Sequence, residues 1–228
     1  MAKEKKSKRG LDVFNERALQ PYLDAVYREL GFQFDRVETQ ELQLQGVDLV
    51  IRHQGAEYPI DEKGQTHYIN KRLKTFAFEL EFRGSKGTVQ EGWLFDDKKV
   101  TSHYFLVADI RSDDRRVSGL TSFRLVSVHR KHLIAFLEEN QWTQSFITED
   151  VPMMMGRKRE HVLSVRDPAV KLIRTHHLVE RPLNLVIRLD DLIAAGVARE
   201  LVPGRKGMRH WKEVFRQVTR GREPGMNG

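Results

Sequence analysis

The chain has 228 residues, no cysteine, and no apolar run near the ~20 residues that span a bilayer. That excludes a disulfide scaffold, a cysteine zinc site, an iron–sulfur cluster, a thiol nucleophile and a helical membrane anchor. Hydrophobic residues make up 39 % and charged residues 31 %, the balance of a folded chain long enough for one large domain or two small ones.

The net charge of +7 sits at the two ends. Residues 1–10 carry five cations against one acid, and residues 203–228 carry seven against two, so the body between them is slightly acidic. Basic ends of this kind suit a phosphate backbone; the plain alternative is a pair of solvated tails. The basic start leads into no apolar signal core, so no secretory leader is expected and a cytoplasmic location is.

Residues 1–10 read as a disordered basic tail. Phe14, Ala18, Tyr22, Val26 and Leu30 recur every four residues and predict a helix over 11–30, with Asp12 as its cap and Gly31 as its stop. Pro21 either kinks that helix or opens a second one. Phe32, Phe34 and the stretch 41–44 then alternate as strands do. After Gly46 the alternation resumes in the other phase with Val47, Leu49 and Ile51, which predicts a bulge or tight turn at the glycine.

Further strands are expected at 57–63, 76–82 and 103–110, with a charged loop over 111–116. A strand at 122–128 and a helix at 129–140 follow, then an irregular stretch over 145–182. A strand at 183–188, a short helix closed by Gly196 and a basic amphipathic helix over 208–219 complete the chain before a loose tail, 221–228. In this reading the core is residues 11–125, and 126–220 form a C-terminal part packed on it.

The strands on either side of the four-residue turn 53–56 carry the chemistry. If Arg52 pairs with Glu57, Asp48 lies opposite Asp61, and Lys63 shares their face because side chains two apart on a strand point the same way. Directly opposed carboxylates repel, and a hard divalent cation such as Mg²⁺ or Mn²⁺ relieves that repulsion. Val47, Leu49, Ile51, Tyr58 and Ile60 line the other face as core. The plain alternative is a salt bridge on an exposed sheet face.

An acid on one strand followed by acid-x-lysine on the next, here Asp48 and then Asp61-Glu62-Lys63, resembles the PD-(D/E)XK (restriction-endonuclease-like) nuclease superfamily. The resemblance covers roughly residues 11–110. It implies an α/β fold: a helix, a meander of three strands, then a helix and further strands, a mixed sheet flanked by helices. It implies a Mg²⁺- or Mn²⁺-dependent hydrolase of phosphodiester bonds, with DNA as substrate. Separately, a homodimer is among the expected assemblies. Asp48 and Asp61 would hold the metal with the backbone carbonyl of Glu62, and Lys63 would act on the attacking water or the transition state. Glu16 on the first helix matches a supporting glutamate, Gln65 a glutamine that recurs two past the lysine, and Glu79 could extend the acidic site. Val47 stands where the family's name has proline, and Pro59 inside the second strand predicts a bulge. The alternative function is a nuclease-like nucleic-acid-binding or assembly protein without catalysis.

Other residues carry less. His129 and His132, three apart beside Arg130 and Lys131, read as a helix-borne metal pair or, more commonly for histidine among lysine and arginine, as a face toward phosphate or plain solvent. Trp93, Asp96 and Asp97 read as packing and capping, and Met153 to Met155 as core or interface filler. No Gly-x-Ser-x-Gly elbow, phosphate-binding Gly-x-x-x-x-Gly-Lys-Ser/Thr loop or Gly-x-Gly-x-x-Gly fingerprint is present, which disfavours a serine hydrolase, a nucleotide-driven motor and a dinucleotide enzyme.

Overall fold

A computed structural model describes residues 9–84, 86–165, 169–176, 178–203, 210–211, 213–215 and 218, with side chains from residue 15 onward. The first helix, α1 (Arg9–Glu29), is continuous through Pro21 and starts three residues before the expected cap Asp12. It stops where Gly31 adopts φ +74°, and the amide of Phe32 closes back on the carbonyl of Tyr27 at 2.9 Å.

Three antiparallel strands follow: β1 (Gln33–Arg36), β2 (Leu49–His53) and β3 (Ala56–Gly64), with a short helix α2 (Gln40–Leu44) between the first two. Residues 41–44 are therefore helical, not extended as their alternation predicts. Leu42 and Leu44 are both exposed, so no buried face selects the strand conformation. Gly46, at φ +77°, makes the tight turn expected there.

β2 and β3 pair from Leu49↔Ile60 to His53↔Ala56, the register the sequence predicts. The loop proper is Gln54-Gly55, both at positive φ, the geometry that matches a right-twisted two-residue hairpin. Pro59 pairs with Val50 without any register shift, so the expected bulge is absent; on the side of the next strand the proline offers only its carbonyl, which accepts the Ser102 amide at 2.9 Å just before the ladder begins at Ile60.

After β3 the resemblance predicts a helix. The described residues instead form β4 (Thr75–Arg83) and β5 (Val89–Glu91), which leave for a second sheet. The chain returns as β6 (His103–Ser112), parallel to β3, and β7 (Leu120–His129), antiparallel to β6. α3 (Arg130–Glu139) and α4 (Val151–Met155) precede β8 (Glu160–Ser164) and β9 (Val170–Arg174). The stretch expected to be irregular thus contributes two strands. β10 (Leu183–Arg188), α5 (Leu189–Ala194) and β11 (Ala198–Val202) follow, with Gly196 at φ +72° between the last two.

The described residues form a mixed α/β fold with two sheets, ordered β1-β2-β3-β6-β7-β11 and β5-β4-β10-β9-β8. Strand alternation explains why the first sheet is covered on both faces. Odd positions of β6 and β7, such as Phe105 and Phe123, pack with Leu19, Tyr22, Val26 and Tyr27 of α1 and with Phe215 of the C-terminal helical residues. Even positions, such as Tyr104, Leu106, Val126 and Val128, pack with Phe76, Phe78 and Leu80 of the second sheet and with Leu133 and Leu137 of α3. One flank of the mixed sheet is therefore largely another sheet.

A boundary at residue 125 would cut β7. Residues 126–220 are not an extension laid on a finished core: β11 completes the first sheet and β10 pairs directly with β4 in the second. Among the described residues no helix is long and apolar enough to cross a membrane. The basic residues Lys3 to Lys8, Arg205, Lys206, Arg209, Lys212, Arg216 and the tail 221–228 lie outside the described residues.

Candidate active site

The β2–β3 ladder ends at Leu49↔Ile60, and the Asp48 side chain takes over where it stops. Asp48 Oδ2 accepts the backbone N–H of Glu62 at 2.7 Å. This bond turns the Asp48 carboxyl toward Asp61, and the two carboxyls are close enough to share a hydrogen bond. Lys63, two residues along β3, forms an ion pair with Asp61 Oδ1. Asp48, Asp61 and Lys63 thus converge, as the sequence predicts.

The environment differs from an exposed sheet face. β3 lies beside β6, with Asp61 opposite Tyr104 and Lys63 opposite Leu106, so the site faces the second sheet. Asp61 is only 2 % exposed. Burial, with the negative charge and hydrogen bond of Asp48, pushes its carboxyl up to about 7 against the pull of Lys63. Asp61, Asp48 and Glu16 together hold the Lys63 ammonium up at about 12, although burial works the other way. The Lys63 Nζ also lies 5.6 Å from the centre of the Trp93 ring, within cation–π range.

Trp93 belongs to a loop that the sequence reading treats as packing. It packs on Tyr104 and Phe78, with ring centroids 4.6 and 5.6 Å apart. Arg130 holds the rest of that loop. Its guanidinium donates to the carbonyls of Leu94, Asp96 and Lys99 at 3.1, 2.8 and 2.9 Å. Arg130 therefore points inward, not to phosphate or solvent as its neighbours His129 and Lys131 suggest. Lys99, at the end of the loop, donates to the Leu44 carbonyl at 2.6 Å. A Cβ on Gly46 would meet Thr101 Oγ1 at 2.9 Å, Lys99 Cδ at 3.0 Å and Asp61 Oδ2 at 3.6 Å, so the backbone at Gly46 can approach the carboxylates only as glycine. Trp93, Lys99, Thr101 and Arg130 reach the site by tertiary packing, and no local spacing announces them.

The Glu62 side chain is not part of this cluster. It points to the α1 face, where Oε1 accepts from Tyr27 Oη at 2.5 Å and Oε2 pairs with Arg36 at 2.5 Å; Arg36 also bonds Asp24 at 2.6 Å. Its carboxyl, raised by burial, is held as an anion by Arg36 and Tyr27. A metal role for Glu62 is therefore confined to its backbone carbonyl. Arg36→Ala leaves that carboxylate buried without its cation, and we expect a loss of ~3 kcal/mol in urea unfolding. Glu62→Gln should cost less stability and leave the chemistry of the folded protein unchanged, because its side chain lies across the sheet from Asp61.

Glu79 is also placed elsewhere. It alternates with Phe78 and Leu80, which face the first sheet, so Glu79 lies on the far face of the second sheet and does not extend the acidic site. Gln65 anchors the start of β4 by donating to the Thr75 carbonyl at 2.8 Å, and its Oε1 is buried without a partner among the described residues. Glu16 is exposed on α1, within electrostatic reach of Lys63.

Mg²⁺ suits this donor set. It takes one or two carboxylates and completes its octahedron with water and substrate oxygens, so two acids suffice. Among the described residues no three His, Asp or Glu side chains form a closed metal cage. Burial is the main reason the Asp61 carboxyl is raised, and the nearby Asp48 charge adds to it; a cation between the two carboxyls would favour their ionised forms.

Comparison with protein-family models, curated proteins and solved structures returns no match.

Proposed function

We propose that the chain is a metal-dependent nuclease of the PD-(D/E)XK type that hydrolyses phosphodiester bonds in DNA. One observation carries this reading: a buried carboxylate, a second carboxylate and a cationic lysine meet at one point of the first sheet in the order the family's motif requires. Helix, three-strand meander and parallel return strand support it; the second sheet in place of the flanking helix is this chain's departure.

Asp48 and Asp61 would hold Mg²⁺ or Mn²⁺ with the backbone carbonyl of Glu62. Bound there, the ion would polarise the scissile phosphate and acidify a water. Asp48 keeps one oxygen on the Glu62 amide, which fixes its carboxyl plane and leaves the other oxygen for the ion. Asp61 sits where water is largely excluded, so its charge, once formed, is screened less than on the surface. Lys63, cationic at any working pH, stabilises charge that builds on the phosphoryl oxygens. The Trp93 ring and the Asp61 carboxylate fix the path of its side chain. The basic ends of the chain would grip the DNA backbone without reading its sequence.

Incubation of supercoiled plasmid, linear duplex and single-stranded DNA with Mn²⁺ or Mg²⁺ tests the reading. The parent should cut at least one of them, EDTA should stop it, and Asp48→Asn should not cut. Binding of all three substrates without cleavage by the parent would establish the non-catalytic alternative instead.

A further inference from the structure

On the α1 face of the first sheet, beyond the end of that helix, lies an open cavity of about 490 Å³. Its floor is Ile51, Ile60 and Phe105, and Phe32 and Tyr58 add aromatic wall. Four of the chain's nine histidines line it, His53, His103, His129 and His132, together with Arg199. Among the described residues no aspartate or glutamate does.

The strands dictate this gathering. His103 and His129 are direct partners on β6 and β7, with ring centroids 4.6 Å apart. The first turn of α3 stacks His132 on His129 at 4.0 Å. Arg199 lies opposite Ser127 on β11. The imidazole protons follow from the hydrogen bonds. Ser102 Oγ donates to the Pro59 carbonyl, so it accepts from His103 Nδ1–H and leaves His103 Nε2 as an open acceptor. His129 Nδ1 accepts the His132 amide, which puts the His129 proton on Nε2. Burial and neighbouring histidines hold His103 down at about 4 and His129 below its usual value.

We propose that this cavity binds a nucleoside monophosphate unit, its planar base against Tyr58, Phe32 and Phe105 and its phosphate at the rim between Arg199 and the histidines. The volume is that of a small-molecule site, with an apolar floor and a few convergent polar groups. Aromatic rings offer a stacking surface to any base, and Arg199, with imidazole N–H donors lining the same cavity, favours an anion at a rim that no described aspartate or glutamate lines. A metal is the poorer occupant: His129 Nδ1 is already used, and among the described residues no three such side chains form a metal cage. The cavity shares no residue with the carboxylate site, so the inference stands apart from the nuclease reading.

Calorimetry on the full chain tests it with thymidine 5′-monophosphate, adenosine 5′-monophosphate, thymidine and inorganic phosphate as probes, and a 5′-phosphorylated tetranucleotide as a fifth. The monophosphates should bind more tightly than either thymidine or phosphate. Arg199→Ala and His132→Ala are both at exposed positions and should each weaken that binding ~10-fold while leaving the melting temperature unchanged. Asp48→Asn should bind as the parent does. Tighter binding of the tetranucleotide would identify the ligand as a strand end, and tighter binding of the free nucleotide as a small effector. Absence of binding to all five probes, equal binding of phosphate alone, or unchanged affinity in both rim variants would overturn the proposal.

Discussion

Asp61→Asn should abolish Mn²⁺ binding and DNA cleavage, and it should raise the melting temperature of the metal-free protein at pH 8. The two effects share a cause. Asp61 is almost fully buried beside Asp48, and its carboxyl titrates at about 7 in the folded chain against 3.8 for the free side chain. Between those values the folded state binds more protons than the unfolded one, so stability falls as pH rises from about 4 to about 7. The Lys63 ion pair is already included in that balance and does not reverse it. An asparagine carries no charge to desolvate and removes this slope. We expect a gain of ~1–2 kcal/mol at pH 8 in EDTA, which is ~3–6 °C for a chain of this size, and little difference at pH 4. Mn²⁺ should raise the melting temperature of the parent at pH 8 and leave the variant unmoved, because only a folded state that binds the ion gains from it. A salt bridge holding the sheet together predicts the opposite: Asp61→Asn would melt lower at every pH above the carboxylate range, and Mn²⁺ would affect neither protein.

What the sequence reveals of this site is what two adjacent strands determine between themselves. The hairpin at Gln54-Gly55 sets the register, the register sets the face, and Asp48, Asp61 and Lys63 follow without knowledge of the rest of the chain. What it hides comes from elements far away in the chain. The polar face of β3 reads as exposed because nothing near it in sequence covers it; strands and loops beginning at residue 75 do so, which turns Asp61 into a buried acid. Glu62 sits in the middle of the motif, yet its side chain belongs to Tyr27 and Arg36, because strand alternation sends it to the opposite face. Arg130 reads as surface charge from its neighbours, while its three carbonyl partners lie over thirty residues earlier. Residues 41–44 fail for a different reason: four alternating residues fit a helical turn as well as a strand, and neither apolar side chain is buried to decide between them.

Lys63→Ala should separate binding from chemistry. Lys63 contributes no ligand, so Mn²⁺ should still bind at pH 8, where loss of the ammonium also removes a cation that competes for Asp61 Oδ1. Cleavage should nevertheless fall by ~10²-fold or more, the cost of removing one preorganised charge aimed at a developing oxyanion. The dependence of that loss on pH reveals how the lysine works. Asp61, Asp48 and Glu16 keep it protonated up to about 12, so no neutral amine is present at pH 7 to 9 to accept a proton. A lysine that acts by its charge lowers the height of the pH–rate profile and moves only the limb set by Asp61, whose carboxyl rises further once the ammonium is gone. A lysine that acts as a base would delete a limb of the profile, and Lys63→Arg, cationic at every pH, would then be as inactive as Lys63→Ala. We expect Lys63→Arg to recover part of the lost rate, because its guanidinium restores charge beside Asp61 even though its planar fork cannot follow the same path over the Trp93 ring. Equal, profile-changing inactivation of both variants would assign proton transfer to Lys63 and require that its ammonium lose its proton once substrate and ion are bound.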